Sequence, residues 1–238
     1  MHSRRITEKV KEDYNEIAEE FSASRAYPWK DFELFLPHYR ENAQQSCVLD
    51  LGCGNGRLLG KFLKKHGYGD YLGVDLSENL LEFAKKAYPD EKFVCADMAD
   101  VAKLEELGLQ DGRWDAIFAI ASFHHLPPER QLETLKKWKK LLKPGGYLFM
   151  TNWNLYQKKY LPLLFRSFVF PTFGRRGVLV PWRNRVNRYY YAFTKRRLTK
   201  LLTEAGYKIE LNDYVNDGEY GTLLNSKNIV TVARALES

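Results

Sequence analysis

Residues 48–56 read VLDLGCGNG, and this stretch decides the fold of the chain. An apolar run enters three closely spaced glycines, and an amphipathic segment from Arg57 to His66 follows directly. Strand, glycine turn and helix start in that order make a cradle. Backbone without Cβ lets a ligand approach closely, and the first amides of the helix face it. Asp75 closes the next apolar run, 19 residues after Gly56, where a carboxylate can accept hydrogen bonds from two ribose hydroxyls. A dinucleotide fingerprint, GxGxxG, needs a third glycine at position 57, and Arg57 stands there. The pattern predicts a nucleoside-type ligand of another kind.

Outward from the loop, short apolar runs alternate with amphipathic stretches, the rhythm of strand, crossover helix and parallel strand. The runs at 47–51, 71–75, 92–96, 114–120 and 146–151 have the β-branched and aromatic character of buried strands. Arg57–His66, Ser77–Ala87 and Pro128–Leu142 carry apolar residues three and four apart; Ser77 is placed as an N-cap, and Pro127-Pro128 signal a helix start. A further helix, 195–205, ends at Gly206, and the strands at 207–211 and 228–233 are expected to pair antiparallel. The expected organisation is one α/β domain over 1–238. An N-terminal helical extension occupies 1–45, its main helix spanning Ile6 to Phe21, and an insertion occupies 153–190.

The charge is unevenly placed. Of 37 Lys and Arg, 12 fall between Thr151 and Thr203, which holds no Asp or Glu; the other 25 face 30 acids, so the segment is +12 and the remainder −5. An acidic body with a basic patch predicts an anionic partner. Cys47, Cys53 and Cys95 are odd in number and lack CxxC spacing, which speaks against a disulfide framework or a structural metal site. No window approaches a membrane span, and the N-terminus lacks the apolar core of a signal peptide. A soluble, cytoplasmic protein without integral membrane association is the expectation.

The glycine loop, Asp75, Asp97 at the end of the third strand, the run WDAIFAIASFHHL and the turn LLKPGGYLFMT together resemble class I S-adenosylmethionine-dependent methyltransferases over roughly 45–152. That resemblance implies a Rossmann-like sheet of seven strands, mostly parallel with the last antiparallel, and helices on both faces. It implies S-adenosyl-L-methionine held by Asp50, Gly52, Cys53, Gly54, Asp75, Leu76, Asp97, Met98 and Ala119. The N-terminal YNEIAEEFSASRAYPWKDFELFL, the later RYYYAFTKRRLTKLLTEAGY and the closing SKNIVTVAR are similar to one branch, the tRNA methyltransferases that esterify a carboxymethyl group on a wobble uridine. Membership there implies tRNA as substrate, Arg25 on the methionine carboxylate of the cofactor, and, as in eukaryotic members, a small activator protein covering an edge strand.

The residues also speak for nucleic acid without the resemblance. The bases of 151–203 are interleaved with Trp153, Tyr156, Tyr160, Phe165, Trp182 and Tyr189–Tyr191, a pattern that attracts phosphates and stacks on splayed bases. A carboxylate acceptor needs no general base and would be oriented by Arg25, Arg183, Arg185 or Arg188, whereas an amine or hydroxyl would use His124 or His125. Two readings remain beside the tRNA one. The run LPLLFRSFVFPTFGRR suits a lipid or quinone substrate at a membrane surface, and an intact cofactor loop is also compatible with a non-catalytic regulatory subunit.

Overall fold

The computed structural model describes residues 2–25, 29–39, 44–106, 109–170 and 176–236. The RAYPW motif therefore lies partly outside the described residues, as do Arg175 and the PTFGR portion of the apolar run. Strands β1 (Cys47–Leu51), β2 (Asp70–Asp75), β3 (Lys92–Cys95), β4 (Trp114–Ile120) and β5 (Leu142–Trp153) pair in parallel, in the order β3-β2-β1-β4-β5. The chain reverses between β1 and β4, which opens a crevice at their carboxyl ends, just where VLDLGCGNG leaves the sheet.

Beyond a detached hairpin of β6 (Gly177–Trp182) and β7 (Val186–Tyr191), β8 (Tyr207–Asn216) passes outside the sheet's growing edge. After the two-residue β9 (Glu219–Tyr220), β10 (Asn228–Ala235) slots antiparallel between β5 and β8. The sheet thus has eight strands rather than the seven expected. The extra one, β9, is the short return of a hairpin on β8, too short to carry a periodic signal.

Residues alternate sides along each strand. Leu49, Leu51, Ile117, Ala119, Leu148 and Met150 face one core with helices α6 (Val101–Glu106), α7 (Pro128–Leu141) and α9 (Lys195–Glu204). Val48, Phe118, Phe149, Val230 and Val232 face a second core. It is closed by α3 (Leu36–Tyr39), the π-turn Leu59–Leu63 leading into α4 (Lys64–His66), and α5 (Glu78–Ala87). Ser77 caps α5 as expected, its side chain accepting from the Leu80 amide. The predicted helix Ile6–Phe21 is broken into α1 (His2–Glu16) and α2 (Ala18–Ala23). Both lie against the carboxyl ends of the strands: Asn15 bonds Ser77 and Asn79, and Thr7 accepts from Arg130.

The insertion forms a layer of its own. Helix α8 (Leu161–Val169) packs on the β6–β7 hairpin through Leu155, Leu164, Val178, Val180, Tyr190 and Ala192. Among the described residues, no helix is long and apolar enough to cross a membrane.

Candidate active site

The glycine cradle is closed by contacts that explain each residue type. The amides of Gly52 and Cys53 both donate to the Val74 carbonyl, pinning the turn to β2. Gly52 has φ +82°, and a Cβ there would lie 2.3 Å from Cβ of Ser122, whose hydroxyl donates to the Leu51 carbonyl. Position 52 therefore admits neither a side chain nor another backbone conformation. Asp75 accepts from the Gly54 amide (2.8 Å) and the Ser77 amide (2.8 Å), joining the cradle to the start of α5. Burial raises its pKa, and those backbone donors pull it back. Asp50 accepts from the Tyr71 hydroxyl on Oδ2, while its buried Oδ1 has no partner among the described residues. Burial pushes it up to about 7, against the Tyr71 bond and with the help of the Asp75 charge.

These residues line a cavity of about 420 Å³ over the sheet crossover. Gly52, Cys53, Gly54, Leu76, Asp97, Met98 and Arg25 also border it, so nine of the ten residues expected to hold the cofactor meet around one space. Ala119 does not: it lies in the middle of β4, fully buried in the core. Cys53 is buried and its thiol is pushed up by that burial, which leaves it a small packing residue rather than a nucleophile. Asp97 is held by Arg130 at 2.7 Å and accepts from the Ala99 amide, so its carboxylate is fixed at the cavity edge.

The opposite wall holds the candidates for the acceptor. His124 and His125 are buried and line the cavity. His124 Nδ1 accepts from the Trp153 amide (3.1 Å), which leaves the proton on Nε2. His125 Nδ1 donates to the Tyr189 carbonyl (2.6 Å), and its Nε2 accepts from the Tyr14 hydroxyl (2.9 Å). Burial lowers both pKa values, His125 to about 3, so both rings are neutral at physiological pH. The lone-pair nitrogen of each ring is thus already engaged, His124 Nδ1 by the Trp153 amide and His125 Nε2 by the Tyr14 hydroxyl, and burial leaves both too weak to accept a proton at neutral pH.

Of the arginines expected to orient a carboxylate, the structure brings two to the cavity and leaves two outside it. Arg183 and Arg185 sit at the β6–β7 turn, their side chains 62% and 47% exposed, and both pair with Glu20 on α2. They are turn residues: Arg183 and Asn184 have φ of +45° and +59°, and the Arg185 amide bonds back to the Trp182 carbonyl. Arg188, three residues into the strand, turns inward and is only 2% exposed. Its guanidinium lies over Trp182 (4.5 Å), Tyr190 (5.2 Å), Trp153 (5.6 Å) and Tyr14 (5.7 Å). One Nη donates to Tyr14 Oη at 3.3 Å, and among the described residues its Nε has no partner and no carboxylate bonds to it. Asp13 is near enough to feel its charge but is bonded to Lys9.

Two more cations converge on the cavity. Arg25 lies over Phe21 (4.5 Å), its pKa lowered by burial. Arg57, stacked on Trp29, is pulled down to about 10 by burial and by the charge of Arg25, so it stays protonated. Sequence reasoning passed over Tyr14 and Arg57 as site residues. No acidic residue stands in helical register with Arg57, the one local sign that its charge is not paired within its own helix.

The aromatics of the insertion divide in the same way. Tyr189, Tyr190 and Tyr191 are buried, where they wall the cavity and fill the core instead of offering faces to nucleotides. Both faces of β7 are covered here, Tyr190 packing into the α8 cluster and Tyr191 into the core of the main sheet, so consecutive rings are all withdrawn from solvent.

A glycine cradle closed by a buried carboxylate, at the crossover of a doubly wound sheet, is the arrangement that suits a nucleoside-type cofactor. Residues 48–146 match the family model of a methyltransferase domain. A candidate methyltransferase of Encephalitozoon cuniculi is 30% identical over 200 residues, 82% of this chain and 85% of that protein. The mouse tRNA (carboxymethyluridine(34)-5-O)-methyltransferase ALKBH8 is 34% identical over 150 residues, which are 63% of this chain. That match spans only 20% of the mouse protein. Among solved structures, a SAM-dependent methyltransferase of Methanosarcina mazei shares the fold with TM-score 0.70 at 20% identity, covering 86% of this chain and 98% of its own. So does a candidate methyltransferase of Haloferax volcanii, solved with the Trm112 methyltransferase activator, with TM-score 0.69 at 18% identity over 96% and 98%. This chain belongs to the S-adenosylmethionine-dependent methyltransferases, and S-adenosylmethionine is its cofactor.

Proposed function

We propose that this enzyme methylates the carboxylate of a carboxymethyl-type wobble uridine in tRNA. The observation that carries this reading is Arg188: a buried guanidinium on the cavity wall, caged by four aromatic rings and lacking a carboxylate partner among the described residues. A protein leaves a charge in that state where a ligand of opposite sign completes it. The two neutral histidines support the same acceptor, since a carboxylate is already ionised and needs no base, whereas an amine or hydroxyl would need one.

The cofactor supplies an electrophilic methyl group on a sulfonium. Asp75 is the residue that would hold its ribose, the turn 52–56 would lie against it, Leu76 and Met98 would provide apolar walls, and Arg25 with Arg57 would neutralise its carboxylate. Arg188 then orients the acceptor carboxylate and is itself held by Tyr14, which His125 fixes through Nε2. Helices α1 and α2 supply Thr7, Val10, Tyr14 and Phe21 to the roof of the cavity and shield it from water.

The wobble-uridine substrate is supported by what the mouse relative is named for, and a small activator protein by what the Haloferax complex is named for. Such an activator would cover an edge of the sheet, which ends at β3 on one side and at β8 with the short β9 on the other. Incubation with labelled cofactor and bulk tRNA, followed by digestion and mass spectrometry, should show a methyl ester on a carboxymethylated uridine. Label found only in lipid or small molecules would refute the assignment.

A further inference from the structure

Helix α8 is apolar on its outer side as well as its inner one. Its inward side holds Leu164 and the polar Ser167, both buried, while Leu161, Phe165, Phe168 and Val169 face solvent, with Phe170 just beyond the helix end. Phe165 is 72% exposed and Phe170 is 68% exposed, a degree of exposure large aromatics rarely show without a partner. The flanking charges are all of one sign. Lys158, Lys159 and Arg166 have no carboxylate partner among the described residues, and the chain from Thr151 to Thr203 contains no acid. The inner side of this layer is the cavity wall itself: Tyr190, which lines the cavity, shares an apolar cluster with Leu164 of α8.

We infer that the outer face of α8 is a stacking platform for the single-stranded loop of an RNA substrate, with Phe165, Phe168 and Phe170 taking unpaired bases and Lys158, Lys159 and Arg166 taking phosphates. This rests on the tRNA reading above and assigns a surface to it. Rings and cations together point to single-stranded nucleic acid, whose bases all offer a π-face and whose backbone is anionic. Three of the five exposed apolar side chains are phenylalanines, and the platform adjoins the wall of the cavity that the modified base must enter. A lipid surface would equally accept aliphatic residues at those positions and would have no reason to lie beside a nucleotide pocket.

The test measures binding apart from methyl transfer, by fluorescence anisotropy of an anticodon stem-loop RNA with the whole enzyme. Phe165→Ala together with Phe168→Ala should weaken binding at least tenfold, because each stacked base contributes severalfold or more. Phe165→Leu with Phe168→Leu should fail to restore it, since leucine keeps the apolar surface and loses the ring. Lys158→Gln with Lys159→Gln should lower the slope of log affinity against log salt by about 1.4, two phosphates' worth on a single strand. Cofactor affinity, measured by calorimetry, should stay at the wild-type value in every variant.

Unchanged RNA affinity in the alanine pair, or full recovery with leucine, would overturn the proposal. So would anionic phosphatidylserine vesicles that sediment the wild type but not the alanine pair while RNA binding is unaltered, which would make α8 a membrane contact. A wild type that binds the stem-loop through these rings yet esterifies no tRNA would leave the platform standing and remove the wobble-uridine assignment.

Discussion

Replacing Arg188 with methionine tests the acceptor pocket most directly, because the unbranched side chain fills similar volume and removes the charged head with its bond to Tyr14. In the free enzyme the guanidinium has lost water without gaining a carboxylate among the described residues. That desolvation costs several kcal/mol. Its four aromatic contacts, at 4.5 to 5.7 Å, offset the cost by roughly 0.5–2 kcal/mol each. The two nearly cancel, so Arg188→Met should change the unfolding free energy by less than about 2 kcal/mol, well below the ~3–5 kcal/mol expected for breaking a buried ion pair. With substrate bound the balance differs. The acceptor carboxylate would sit in the same low-dielectric cage unpaired, at a cost of about 3–5 kcal/mol, or roughly 10²- to 10⁴-fold in kcat/KM. Urea denaturation gives the first number, and initial rates on a carboxymethyluridine-containing stem-loop give the second. A variant with kcat/KM within threefold of wild type would refute carboxylate recognition by Arg188. Unfolding loss above 4 kcal/mol would show that the arginine is a structural element.

Three further outcomes follow from the same geometry. Gly52→Ala should destabilise the fold by about 2–5 kcal/mol, from its positive φ and the 2.3 Å approach to Ser122, and thermal unfolding that matches wild type would contradict the cradle described. Asp75→Asn should raise the cofactor Kd by about a hundredfold through loss of charge-assisted bonds, read by calorimetry; a change below threefold would remove Asp75 from cofactor binding. His125 has a folded pKa of about 3 against 6.5 unfolded, so below pH 6.5 the unfolded chain binds the extra proton and stability falls as pH drops. By pH 5 that amounts to ~2 kcal/mol, which His125→Asn should abolish; parallel losses in variant and wild type between pH 7.5 and 5 would show the ring is not held neutral.

Local sequence determined what local geometry controls. A strand ending in GCGNG must turn at glycines that reach positive φ, and the carboxylate that closes the turn ends the next strand, so Gly52, Gly54 and Asp75 were legible from spacing, whereas Asp50 came only with the family resemblance. The central parallel strands were legible for a similar reason, β1 and β4 being buried on both faces and bounded by turn residues. What only the tertiary structure decided is which of the many arginines faces the cavity. Arg183, Arg185 and Arg188 lie within six residues, and composition treats them alike. The turn at 183–184 puts the first two in solvent against Glu20, and the hairpin pairing of Arg188 with Val180 sends the third inward, into a cage whose rings come from α1, β5, β6 and β7. The two histidines, adjacent after β4, are likewise neutral because the whole fold buries them, with Tyr14, more than a hundred residues away in sequence, bonded to His125. Burial and the company of a charge are sums over distant parts of the chain, and no local pattern of residues can report them.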